Sequence, residues 1–147
     1  MAGVTVYLTF AGETEAAFEF YKTVFNTKYD ADGLNRFGDM PPQEGMPELT
    51  EEEKKLILHV GLPILGNFVL MGSDAAPGMQ STITKGNNYH LNLDPTSREE
   101  ADKIFAALSQ GGTVTQALHD SFWGAYYGSC TDKYGIHWMM NYNEKKD

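Results

Sequence analysis

Two stretches decide the fold: Val4-Thr5-Val6-Tyr7-Leu8-Thr9-Phe10 and, in the later half of the chain, Asn88-Tyr89-His90-Leu91-Asn92-Leu93-Asp94. In the first, Val4, Val6, Leu8 and Phe10 point one way while Thr5, Tyr7 and Thr9 point the other, the pattern of a half-buried strand with a polar second face. In the second, Tyr89, Leu91 and Leu93 alternate with Asn88, His90, Asn92 and Asp94 before Pro95 ends the run. A helical signal follows each. Ala17, Phe20, Tyr21, Val24 and Phe25 keep the three-four spacing that gathers side chains on one helix face, and Glu13 and Glu15 suit its positive N-terminal end. Ser97-Arg98-Glu99-Glu100 reads as a capping box, Ala101, Ile104, Phe105 and Leu108 share a face, and Gly111-Gly112 is the stop.

Each β-then-α opening is followed by three further strand-like segments, 27–37, 55–64 and 67–74 in the first half and 112–119, 124–131 and 137–143 in the second. Gly66-Asn67 and Tyr134-Gly135 supply turns. The chain therefore reads as an α+β domain over residues 1–147, built of two βαβββ modules: module one 1–74, a linker 75–86, and module two 87–147. A helix is available to cover each apolar strand face, so the polar faces become the concave side of a curved mixed sheet, with the helices outside. Thr5, Tyr7, Thr9, His90 and Asn92 should line that hollow. Segment 38–53, with Pro41-Pro42, Pro47 and an acidic run, is expected to hold a short helix from Thr50 and to lie over a pocket.

Composition narrows the function. Eleven basic against twenty acidic residues give a formal charge of −9, a field that repels nucleic-acid backbones and anionic lipid and attracts cations. No apolar run is long enough to span a bilayer, and Met1-Ala2-Gly3-Val4 lacks the basic and apolar regions of a signal peptide, so a cytoplasmic protein is expected. The single cysteine, Cys130, cannot form an internal disulfide and reads as a small buried residue. There is no Gly-x-Ser-x-Gly elbow, no His-Glu-x-x-His, no phosphate-cradling loop and no Cys-x-x-Cys.

Tyr7-Leu8-Thr9-Phe10 followed by Ala16-Ala17-Phe18-Glu19-Phe20-Tyr21, His59 in a later strand, Leu70-Met71-Gly72-Ser73-Asp74, Phe122-Trp123-Gly124 and Asp132-Lys133-Tyr134-Gly135-Ile136-His137-Trp138 span nearly the whole chain. Together they resemble the PhnB-like branch of the vicinal-oxygen-chelate superfamily, which includes glyoxalase, bleomycin-resistance and dioxygenase proteins. The resemblance implies paired βαβββ modules in a cup- or barrel-like sheet, and a homodimer that in some members exchanges modules between subunits. Sequences of this branch are sometimes labelled methyltransferases, but no Gly-rich cofactor-binding turn stands here.

In metal-dependent relatives four side chains, one from the first and last strand of each module, chelate a divalent ion. By the resemblance these positions fall on Tyr7, Met71, His90 and Met139. Only His90 offers a ligand that a hard or borderline ion prefers, so no metal and no cofactor are expected. Thioethers on a concave face read as an apolar wall. The expected pocket comprises Tyr7, Thr9, His59, Met71, His90, Asn92, Trp123 and Met139. Trp123 joins because Gly124 beside it permits close backbone approach, and Tyr126 is a second stacking candidate. His119 and Asp120, being adjacent on a strand, should point to opposite faces and form no dyad. Three functions follow: a binder of a small cationic or aromatic molecule, a metal-dependent lyase, isomerase or dioxygenase with a non-standard site, and an interaction module with a vestigial pocket. Binding ranks first.

Overall fold

The computed structural model describes residues 2–144. They fall into two compact units, Met1–Thr84 and Lys85–Asp147. In the first, β1 (Tyr7–Phe10), α1 (Thr14–Val24), β2 (Leu34–Arg36), a short helix α2 (Glu51–Lys55), β3 (Ile57–Pro63) and β4 (Val69–Asp74) follow in order. The second has β5 (Leu91–Leu93), α3 (Arg98–Ser109), β6 (Thr113–Asp120), β7 (Ala125–Thr131) and β8 (His137–Asn143). Each unit hydrogen-bonds its own four-stranded sheet, in the orders β1-β4-β3-β2 and β5-β8-β7-β6. First and last strands pair parallel, the others antiparallel. This is the βαβββ plan twice over, α+β in class, and each sheet ends in two free edges rather than closing on itself.

Several boundaries differ from the sequence reading, each for a local reason. β1 starts at Tyr7, and Val4 stands exposed. The expected strand over 27–37 shrinks to three residues because Asp30 organises a turn. Its N–H donates to Gly61 O at 3.1 Å, while its backbone oxygen and its Oδ1 accept from Gly33 N at 2.9 and 3.2 Å. Such a side-chain turn competes with a ladder, and Gly33 adopts the left-handed φ of +66° that it requires. On α1 the buried stripe runs through Thr14, Ala17, Phe18, Tyr21 and Val24, so Phe18 takes the core place that the sequence reading gave to Phe20. Phe18 lies so close over Gly72 that a Cβ there would come within 2.7 Å of its ring. At α3, Ser97 caps Glu100 N at 3.1 Å, but Glu100 returns its carboxylate to Thr96 N at 2.8 Å, one residue earlier than a reciprocal box.

The strand faces separate cleanly. Leu8 and Phe10 of β1, Val60 and Leu62 of β3 and Leu70 of β4 are buried on the side where α1 lies. In the second unit Leu91, Leu93, Cys130, Trp138 and Met140 are buried on the α3 side with Ala101, Ile104 and Leu108. Burial raises the Cys130 thiol pKa, which suits a packing residue rather than a thiolate.

Two buried carboxylates pin this architecture. Asp74, closing β4, accepts from Gly12 N (2.9 Å), Thr14 N (3.2 Å) and Thr14 Oγ1 (2.7 Å) on one oxygen and from Ile57 N (2.8 Å) on the other. It thereby ties the start of α1 and the start of β3 to the end of the strand between them. Asp132, after β7, accepts from Tyr134 N (2.8 Å), Ile136 N (3.1 Å) and the Trp138 indole (2.9 Å), fixing the β7–β8 turn.

Candidate functional site

Opposite the helices, each sheet carries an open face. In the first unit the ladder sets Tyr7 beside Met71 and Met71 beside Gly61, with Thr9 beside Ser73. His59 pairs with Asn35 across β2 and reaches Tyr7, ring to ring at 5.8 Å and Nδ1 to Oη at 3.5 Å. Tyr7, Thr9, His59 and Met71 therefore occupy one surface, Tyr7 and Thr9 exposed and the other two half-buried.

In the second unit Met139 lies between Asn92 on β5 and Ser129 on β7. His90, just before β5, stands with its ring 5.9 Å from that of His137. At the other end of the face a row crosses three strands, His119 beside Tyr127 and Tyr127 beside Asn141. Trp123 stacks edge-on to Tyr127 at 5.8 Å, and His119 does so at 6.1 Å. Asn141 Oδ1 is buried there without a hydrogen-bond partner.

His137, Tyr127, Ser129 and Asn141 were missed as site residues. The alternation of β7 and β8 could have found them, since 127, 129 and 131 share a face, as do 137, 139 and 141. Tyr126 goes the other way: its hydroxyl donates to Asp102 of α3 at 2.5 Å and Arg98 lies 4.3 Å over its ring, so it is no part of the open face. That hydrogen bond to Asp102 raises the Tyr126 pKa. His119 and Asp120 diverge as expected, His119 to Tyr127 and Asp120 to Arg98.

Charge is sorted by face. The charged residues within the described strands are Arg36, Asp74 and Asp120, and all three turn to the helix side, where they meet Glu15, the start of α1, and Arg98. All four histidines stand on the open faces. The strand residues of the open faces are thus Tyr, Thr, Ser, Asn, Met and His, but the Asp30 carboxylate lies over Gly61 on the first face, where a Cβ would come within 2.4 Å of it, and Asp94 accepts from Asn92 on the second.

Segment 38–53 does hold the helix from Thr50, whose hydroxyl accepts from Glu53 N at 3.1 Å while Glu53 accepts from Thr50 N at 2.9 Å. The hollow beside it, about 380 Å³, is lined mostly by the segment itself, Met40, Pro41, Met46 and Leu49 among others, with Phe37 and Lys54 from its two flanks, so the loop folds around its own cavity. None of the expected pocket residues lines it. Among the described residues no helix is long and apolar enough to cross a membrane.

A pair of βαβββ units, each presenting an open sheet face, defines the vicinal-oxygen-chelate class. Residues 2–141 match the family model described as 3-demethylubiquinone-9 3-methyltransferase. Protein YjdN of Escherichia coli (strain K12) is 30% identical over 142 residues, covering 92% of this chain and 91% of that protein. The crystal structure of protein PA1353 from Pseudomonas aeruginosa is 30% identical, with a TM-score of 0.77 over 97% of this chain and 98% of that one. A Bacillus cereus structure described as a putative 3-demethylubiquinone-9 3-methyltransferase, PhnB protein, shares the fold at 20% identity, TM-score 0.69, over 96% and 99% of the two chains. The chain belongs to this family, the PhnB-like branch of the superfamily.

Proposed function

We propose that this protein is a small-molecule binder that takes an aromatic ligand on its open sheet faces, without a full metal site. The aromatic and thioether lining carries this reading. The Asp30 carboxylate over Gly61 and Asp94 beside Asn92 leave room for a positive charge on that ligand, as the net charge of −9 does, so the lining rather than the charge sets the class. Trp123 and Tyr127 offer π-faces, Met71 and Met139 deformable apolar walls, and the unpartnered Asn141 Oδ1 a polar atom to fix orientation.

Neither implied group fits the residues present. At the chelating positions Tyr7 and Met71 pair directly, a phenol and a thioether, and Met139 sits between two uncharged side chains. His137 is a better donor than Met139, but its Nδ1 is engaged by Thr131 Oγ1 at 2.8 Å and its Nε2 donates to Gly86 O at 2.8 Å. A divalent ion keeps its water against such a set. As for a methyl-donor cofactor, the N–H groups at the β1–α1 turn, Gly12 and Thr14, are both taken by Asp74, leaving them unavailable to an anionic or nucleotide ligand.

A homodimer and a cytoplasmic location accompany this proposal. Calorimetry on chelator-stripped protein, against matched neutral and cationic aromatic compounds, tests it. Binding of either aromatic series without added metal supports the reading, and binding of neither contradicts it. A metal-dependent lyase, isomerase or dioxygenase would instead retain stoichiometric Mn, Fe, Ni, Cu or Zn on elemental analysis and bind ligand only with it.

A further inference from the structure

Asp30 brings to the first open face a carboxylate that its own turn does not use up. The turn before β2 takes its backbone and one side-chain oxygen: its N–H donates to Gly61 O at 3.1 Å, and its own backbone oxygen and Oδ1 accept from Gly33 N. Among the described residues nothing donates to the other oxygen, Oδ2. A turn of this kind is served as well by asparagine as by aspartate. The negative charge is therefore surplus to the turn.

Gly61 fixes where that charge stands. A Cβ at Gly61 would come within 2.4 Å of Asp30 Oδ2, 3.0 Å of its Cγ and 3.2 Å of its Oδ1, so the carboxylate occupies the place of a side chain on β3. Gly61 is buried, whereas its ladder partner Met71 is half-buried and Met71's other partner, Tyr7, is exposed. Neighbouring strands lie about 4.8 Å apart, so the carboxylate, the Met71 thioether and the Tyr7 phenol mark a row about 10 Å long across three strands. His59, two residues from Gly61 on the same strand face, flanks the row and meets the Tyr7 ring at 5.8 Å. The strands of this unit carry no lysine, and their arginine, Arg36, is turned to Glu15 at 3.1 Å.

We propose that Asp30 seats a ligand ammonium group, so that the first open face takes an arylalkylamine, its ring over Met71 and against Tyr7 and His59, its charged nitrogen on Asp30 Oδ2. A ring over Met71 lies one strand spacing from the carboxylate, a gap that a two-carbon tether spans. A carboxylate already held by its turn loses little freedom on pairing, and a charge-assisted hydrogen bond is roughly twice as strong as a neutral one. This rests on the aromatic reading of the open faces and deepens it with a charge and a spacing.

Calorimetry on chelator-treated protein with phenethylamine and its neutral match, phenethyl alcohol, tests it. Wild type should bind the amine about tenfold tighter or more. Asp30→Asn, which retains the turn oxygen, should bring the amine to the affinity of the alcohol. Asp32→Asn removes an equal charge from an exposed site two residues away and should leave the preference intact, which separates a seat from the general pull of a chain at −9. Asp30→Ser also keeps a turn-forming oxygen and carries the test if circular dichroism shows the amide variant to be misfolded. In wild type the Met71 methyl resonance should shift with the amine. Equal affinity for amine and alcohol, a preference that survives Asp30→Asn, or a shift at Met139 without one at Met71 overturns the inference and leaves the aromatic reading standing. Binding of neither compound overturns both.

Discussion

The two units share a strand order and differ in what they do with it. In the first, the edge strand is cut to three residues and a long Pro-rich segment with a five-residue helix follows it. In the second, the same position holds an eight-residue strand in a bare hairpin. The pair of strands at the other edge hardly varies: Tyr7 beside Met71 in one unit, Asn92 beside Met139 in the other. Elaboration is thus confined to the outer strand and its connection, while the parallel pair supplies corresponding open-face positions in both units. A scaffold of this kind changes chemistry at a few side chains without changing its ladder.

Breaking the carboxylate pins should produce the largest effects and expose how unequal they are. Asp74→Ala leaves four donors from two segments unpaired, three of them buried, and should cost about 3–5 kcal/mol. Asp132→Ala, which frees the Tyr134 and Ile136 amides of the turn and the Trp138 indole of β8, should cost about 2–4 kcal/mol. Urea unfolding of both variants ranks them, and a larger loss at Asp132 would reverse the account of which unit depends more on its pin.

Gly72 and Gly128, each buried in a middle strand, give a finer contrast. A methyl at Gly72 meets Phe18 at 2.7 Å and Leu8 O at 2.9 Å, whereas at Gly128 it meets Leu118 Cδ2 at 3.0 Å and Gln116 O at 3.1 Å. Gly72→Ala should destabilise by roughly 1–3 kcal/mol and Gly128→Ala by less, measured as thermal midpoints. Equal shifts would mean that the first unit relaxes as readily as the second.

On the open faces, Trp123→Ala should weaken binding of an aromatic ligand by about 1 kcal/mol, roughly fivefold, while stability moves by less than about 0.5 kcal/mol. Calorimetry beside a denaturation curve separates these, and a stability loss without a binding loss would make Trp123 a packing residue.

The smallest effect is electrostatic. The Arg36 guanidinium, hydrogen-bonded to Glu15 at 2.5 Å, lowers the Glu15 carboxyl pKa below its usual range. A lowered folded pKa contributes stability that is present above the unfolded value and lost as pH falls through the folded one. The pair is largely solvent-exposed, so Glu15→Gln should remove only a few tenths of a kcal/mol at neutral pH and nothing at strongly acid pH. Stability measured across the acid range checks the sign.

The paired units were legible because the polar and apolar residues of β1 and β5 alternate and because α1 and α3 follow at helical spacing. Thr9 and Asn92 were placed on the polar faces by the same parity, and Met139 by the resemblance. What was not legible depended on side chains acting at a distance. Asp30 cuts β2 short by capping a turn, and Phe18 wins the core place over Phe20 because Gly72 leaves room for it. Tyr126 points to the helix because β7 enters from Ala125 with that parity, which the aromatic run Phe122-Trp123-Gly124-Ala125-Tyr126-Tyr127 conceals. The loop cavity at 38–53 could not be foreseen, since Pro and Met residues there reveal nothing of their mutual distances.

The central claim, a ligand on the open faces without a metal, is tested most directly by methionine-methyl NMR. Met71 and Met139 stand on the open faces, Met140 is buried on the helix side at 1% exposure, and Met40 and Met46 line the loop cavity. Titrating an aromatic ligand into chelator-treated protein should shift Met71 and Met139 and leave Met140, Met40 and Met46 in place. Shifts confined to Met40 and Met46, or none until a divalent ion is added, would contradict it.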